Sequence, residues 1–289
     1  MPMDLCNHKA VQDKMSQNNN QEIIEDYLEN DQAIPGQNFV CMSFVSPESL
    51  IEKKELFYMN EFFKKTCEEM GMNKNDTLNY LKTHWENYDP SGALYNHISW
   101  HVGLWSLECG NLNQVWHILD HHISPDNSVG PPLNVLTDSV ALLFRAEIAG
   151  VEVPVYRWKS LSAYASTKFT KTGLGFADMH AAIAHVRAGN LDALDNIIIN
   201  AKGPVANLTK KISQAYRYMH NKEWLKASDL FLEVMPDHAR FGGSNAQRDL
   251  IDFSLATCLI HQGRKNEAQT VLSITRPRAL KNKIIEGLH

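Results

Sequence analysis

His97 and His101 stand four residues apart. On a helix that spacing puts both imidazoles on one face, within reach of one ligand. His180 occupies the equivalent place in a later segment, and Asp138 and Asp178 each stand at the start of a helix-like segment. A His/His/His/Asp set suits a transition metal or proton transfer. The same residue types equally suit hydrogen bonds that tie helices together across a polar core. Both readings are open from the sequence. Position 98 is Ile, so there is no HExxH and no zincin site. His117, His121 and His122 form a second cluster, which reads as a solvated helix face.

The stretch Gly242-Gly243-Ser244-Asn245-Ala246-Gln247-Arg248 also has two readings. Ser244 followed by Gln247 is the pattern of a capping box, in which the two residues satisfy each other's backbone amides. Glycines ahead of helical amides, with Arg248 beside them, are also suited to an anion. No GK[ST] follows, so it is not a P-loop. Trp100 is expected on the lining of a groove, and the other tryptophans in a core. The candidate ligand-binding set is therefore His97, Trp100, His101, Asp138, Asp178, His180, Gln247 and Arg248. No catalytic residue, metal or cofactor is assigned, and the reading leans away from an enzyme.

These residues need elements to hold them. Four segments share a turn pattern: Gly110 to Val115, Gly189 to Leu194, Lys222 to Ala227 and Gly263 to Ala268. Glycine can end one helix with φ > 0. The side chain two positions later is expected to fill the angle, and the residue three beyond that to let the next helix approach. Small residues recur seven positions before each turn, at Gly103, Ala182, Ala215 and Ala256. A further pair, Leu136–Ala149 and Val153–Ser166, fits the long first gap, with its turn at Gly150. About five degenerate helix pairs result, a helical-hairpin solenoid of tetratricopeptide (TPR) type.

The segment before residue 90 differs. Residues 1–22 are polar and read as a disordered tail. Residues 23–90 read as a small α+β segment with a strand at Phe39–Val45, a helix from Pro47 to about Met70 and another over Asp76–Glu86. The repeat domain is expected over 91–289. The strand is a candidate for pairing with another chain's edge.

Bulk properties narrow the function. The 289-residue chain carries 28 basic and 33 acidic side chains, for a net charge of -5, which argues against nucleic-acid binding. No apolar run reaches the ~20 residues that span a bilayer, and no secretory signal is expected at the N-terminus. Five scattered cysteines without a CxxC suit reduced thiols and a cytoplasmic setting.

The ordered set His97-Ile98-Ser99-Trp100-His101, Asp138-Ser139-Val140-Ala141-Leu142-Leu143-Phe144-Arg145, Arg157-Trp158, Phe176-Ala177-Asp178-Met179-His180 and Gly242 to Asp249 resembles the tetratricopeptide repeat protein 38 family over about residues 90–277. Residues 33–65 resemble an uncharacterised giant-virus domain, which places a seam near residues 85–92. The family resemblance implies the helical-repeat fold more than an activity. The expected function is a scaffold or adaptor that holds a protein, peptide or small ligand on its concave surface. The alternative is an enzyme or ligand sensor with a His/Asp/Arg pocket between the first helices of the pairs. The oligomeric state is left open.

Overall fold

Five helices end in the same way, and those endings organise the chain. At each, one residue adopts the left-handed conformation: Gly110 (φ 72°), Gly150 (84°), Gly189 (76°), Lys222 (61°) and Gly263 (76°). The next amide then reaches back five residues. Asn111 donates to Ser106, Val151 to Ala146, Asn190 to His185, Glu223 to Tyr218 and Arg264 to Leu259, at 2.8–2.9 Å. This is the Schellman ending, which satisfies carbonyls a helix would otherwise leave open.

The computed structural model describes residues 74–275 apart from residue 93. They all lie within one compact unit, and no strand occurs among them. The expected tail, the Phe39–Val45 strand and the helix from Pro47 lie outside the described residues. Helix α1 (Lys74–Glu86) is followed by five pairs. They are α2 (Tyr95–Glu108) with α3 (Leu112–Ile118), α4 (Pro132–Ile148) with α5 (Val155–Lys168), and α6 (Gly175–Ala188) with α7 (Leu191–Asn200). The last two are α8 (Ala206–His220) with α9 (Trp224–Val234), and α10 (Asn245–His261) with α11 (Lys265–Thr275). A π-helical turn, Leu119–Ile123, extends α3, and a 3-10 turn, Met235–Phe241, follows α9. Helix α4 starts four residues before the expected Leu136, because Pro132 suits a first helical position that needs no amide donor.

The turn pattern packs as its spacing requires, with one correction. Leu191 was expected to fill the angle between helices, yet it is 49% exposed. The closure comes from the residue three further on: Val115, Leu194, Ala227 and Ala268 are fully enclosed. The small residues on the first helices are enclosed too. A Cβ on Gly103 would lie 2.6 Å from Leu142 Cδ2, so α2 and α4 cross closely there.

Lys222 is the one non-glycine residue with positive φ among the described residues. An L-residue in that region carries a steric penalty of about 1 kcal/mol that glycine does not. A Lys222→Gly variant should therefore gain up to about 1 kcal/mol, read as a higher urea midpoint with an unchanged slope. No gain would mean that the Lys222 side chain contributes as much as its backbone costs.

The first helices of the pairs line up, α2 on α4, α4 on α6 and α6 on α8. Helix α10 breaks the sequence. It packs on α9 and reaches back to α4, so the last pair folds over the face that α4 would otherwise show to a groove. At the other end, α1 packs on α2 across the expected seam. There the buried Trp85 donates its indole N–H to Ser99 Oγ at 2.9 Å. No described helix is long and apolar enough to cross a membrane.

Candidate functional site

Asp138 is fully buried on the first half of α4 and collects donors from two other helices. Asn96 Nδ2 donates to its Oδ2 at 3.0 Å. His97 Nδ1 lies 3.2 Å from both carboxylate oxygens. Gln247 Nε2, from α10, donates to Oδ1 at 3.3 Å. Asn96 in turn accepts a 2.6 Å bond from the Ser128 hydroxyl in the α3–α4 connection. One carboxylate thereby joins α2, α4 and α10.

Gln247 has two duties. Its side-chain oxygen accepts the Ser244 amide at 2.9 Å, and its own amide donates to Ser244 Oγ at 3.3 Å. The expected capping box is complete, and the remaining amide nitrogen of Gln247 is what reaches Asp138. Arg248 turns its guanidinium to the Gly243 carbonyl and so braces the turn ahead of α10. A Cβ on Gly243 would lie 2.7 Å from the Phe176 ring, which shows how closely this turn sits against α6.

Trp100 is a correction. It was expected on a groove lining, and it is wholly enclosed. Its ring stacks on His97 (5.1 Å, 19°) and meets His101 at 4.7 Å. Position seven after Asp138 on α4 holds Arg145, which donates to the Ala246 carbonyl on α10 and lies 5.0 Å over the Phe253 ring. Arg145 was not among the candidates, although the i, i+7 spacing places it on the Asp138 face.

His180 belongs to the same neighbourhood. Its Nδ1–H donates to the Phe176 carbonyl at 2.8 Å, which leaves the lone pair on Nε2. Burial pushes its pKa down to about 4, with the Phe176 carbonyl and Asp138 opposing and Arg145 assisting. Burial, then His97 and Arg145, also holds His101 well below the ordinary imidazole value. Three enclosed atoms, Trp100 Nε1, His101 Nδ1 and His180 Nε2, have no hydrogen-bond partner among the described residues. Asp178 does not join the cluster's hydrogen bonds. It accepts the Gly173 amide at 2.9 Å and so organises the loop before α6. Burial raises its pKa to about 6 against that hydrogen bond. Among the described residues no group of three or more His, Cys, Asp or Glu side chains is placed to hold a metal ion.

The buried imidazoles set a pH dependence. His180 and His185 have folded pKa values of about 4, both through burial, below the ordinary 6.5 of an unfolded chain. Protonation therefore favours unfolding, and the stability they support is lost as pH falls from about 6.5 toward 4. Asp178 works in the opposite direction, since its raised value favours the folded state as pH falls through about 6. Two imidazoles, joined by His101, outweigh one carboxyl. The melting temperature measured by calorimetry should fall steadily between pH 7 and pH 4.5. A flat profile over that range would contradict the burial of these rings.

A different region is open to solvent. Helix α10 meets α4 at Asp138 and again at Arg145, and beyond Arg145 lie the C-terminal ends of the first helices. There a cleft of about 160 Å³ lies among α4, α6, α8 and α10. Its walls include Glu147, Arg187, His220, Trp224 and His261, with Tyr216 and Phe144 deeper. Arg187 donates to Glu147 at 2.8 Å and lies 3.1 Å from His220 Nδ1. Trp224 stacks on His261 at 4.1 Å and 10°. None of these residues was a sequence candidate. Their common signal is position, since each stands at or just past the end of a first helix.

No protein-family model matches this chain, and no solved structure matches it.

Proposed function

We propose that this chain is a helical-repeat scaffold of TPR type, a solenoid of five hairpins related to the tetratricopeptide repeat protein 38 family, which holds a peptide segment of a partner. The observation that carries the reading is the cleft at the C-terminal ends of α4, α6, α8 and α10, with a partly exposed indole and basic side chains around an apolar floor. Recurrent hairpins with one ending support the repeat assignment. Trp224 and His261 offer a flat aromatic platform, and the Arg187–Glu147 ion pair beside them offers both a donor and an acceptor to a peptide backbone. The reading favours the helix ends over Trp100 and His97 because both of those side chains are buried.

The test is a peptide display selection on the full chain. Trp224→Ala and Arg187→Ala should each weaken selected peptides about tenfold or more, while the melting temperature moves by less than about 3 °C. Peptides that bind equally well to both variants would sink the proposal.

The ligand-sensing alternative keeps one observation, the three partnerless atoms Trp100 Nε1, His101 Nδ1 and His180 Nε2. Buried polar atoms without partners usually mark an ordered water or a small polar ligand. A small molecule whose thermal stabilisation vanishes in His180→Phe but survives in Trp224→Ala would favour that reading.

A further inference from the structure

The π-helical turn at the end of α3 creates a feature that neither the cleft nor the Asp138 cluster uses. An α-helix stacks residues four apart, whereas the wider turn over Leu119–Ile123 brings together residues five apart. His122 Nε2 consequently lies 3.3 Å from His117 Nε2. His121 joins them, with its ring 4.8 Å from that of His117 and 6.4 Å from that of His122. His117 and His121 are exposed, and His122 is half-buried.

The pairing of like nitrogens is informative. Two imidazole nitrogens each about 2.05 Å from a tetrahedral Zn²⁺ stand about 3.3 Å apart. The His117–His122 separation is therefore the one a bound metal would impose. The structure also holds the inner ligand in place. Tyr95 Oη lies 3.0 Å from His122 Nδ1, and the Trp85 ring meets His122 edge-on at 4.9 Å. A hydrogen bond from Nδ1–H to Tyr95 leaves the Nε2 lone pair pointing outward, the arrangement metal-ligating histidines use. The neighbouring carboxylate, Asp120, is committed to Arg157 in a two-point ion pair.

We propose that His117 and His122 form an open site for a divalent transition metal of the Zn²⁺ or Cu²⁺ type. Two imidazole Nε2 atoms supply the protein ligands, and water completes the coordination. Three-residue enclosure is not part of it, since no such group occurs among the described residues. On binding, the metal replaces the N–H···N bridge between the rings. The bridging proton of His117 moves through solvent to its own Nδ1, so both rings stay neutral and no net proton is released. Such a metal would clip the π-helical turn to the last turn of α3, with His122 held against Tyr95 and Trp85.

The test uses the full chain and the metals alone. Calorimetric titration with Zn²⁺, and Cu²⁺ electron paramagnetic resonance at one equivalent, should show a site of roughly micromolar affinity with two-nitrogen hyperfine structure. His117→Gln, on an exposed ring whose loss should not affect folding, should weaken that site at least about tenfold, as should His122→Gln. Tyr95→Phe should weaken it about tenfold through lost orientation of His122. His121→Gln should change it less than about threefold. The proposal is overturned if no equivalent of metal is lost in the His117 and His122 variants. It is equally overturned if His121→Gln weakens binding as much as His117→Gln, the pattern of adventitious binding to surface histidines.

Discussion

Replacing Asp138 with Ala should cost about 3–5 kcal/mol of stability, the usual penalty for removing one partner of a buried charged network. The reason is what the carboxylate leaves behind. The Asn96 amide, the His97 Nδ1–H and the Gln247 amide all point at it from α2 and α10, and each buried donor left without an acceptor costs about 1–3 kcal/mol. For a chain of this size the melting temperature should fall on the order of 10 °C. Asp138→Asn should cost less, because one amide oxygen can still accept while its NH2 faces a donor. The variants Asn96→Ala and Asp138→Ala should also be non-additive, since the Asn96–Asp138 bond is lost only once in the double variant. A loss under about 1 kcal/mol for Asp138→Ala would show that the carboxylate does not tie the helices, and would return it to the list of ligand-binding groups.

Trp100→Ala should lose a comparable amount, about 3–5 kcal/mol, without losing the partner. The ring is wholly enclosed and stacked on His97, so truncation opens a cavity beside that imidazole. Trp100→Phe should be much milder. It gives up part of the packed area but also removes an indole N–H that has no acceptor among the described residues. The contrast with Trp224 is the informative part. Urea midpoints should separate the two tryptophans, with Trp100→Ala shifting the midpoint and Trp224→Ala leaving it in place. If Trp100→Ala kept its stability and lost peptide binding, the groove would run along α2 after all.

Together these substitutions divide the histidine-rich candidates by role. The Asp138 network has its donors on two helices besides its own, and its carboxylate is satisfied from within. That is the geometry of a tie, and its expected readout is stability. The cleft-wall residues, by contrast, stand at helix ends and keep part of their surface exposed. Their expected readout is affinity.

Much of the architecture was legible because it is local. The first helix of each pair ends with one left-handed residue and a bond between residues five apart, so the five turns at Gly110, Gly150, Gly189, Lys222 and Gly263 stand where the sequence pattern put them. The Ser244/Gln247 capping box is equally local, and it forms as read. The side chain expected to fill the angle was misjudged at Leu191, because the pattern gives spacing but not which of two apolar neighbours the next helix covers. The π turn after α3 was not legible either. A single extra residue per turn depends on the packing of Ile123 and Ser139 beneath it, where the Ser139 hydroxyl holds the Ile123 carbonyl at 2.7 Å.

The sequence by itself determined the helical character, the number of hairpins and the chemistry available on them, because periodicity, turn conformation and capping act between residues a few positions apart. Only the tertiary structure decided which histidines are enclosed and bonded between helices and which face solvent. Asp138 and Gln247 are 109 residues apart in the chain, and nothing local signals that α10 returns to cover α4. That return buries Gln247 against Asp138 and holds Arg145 at the Ala246 carbonyl. Burial and partnership are set by which surfaces meet, so the same His/Asp/Arg inventory can be a pocket or a tie until the last helix pair is in place.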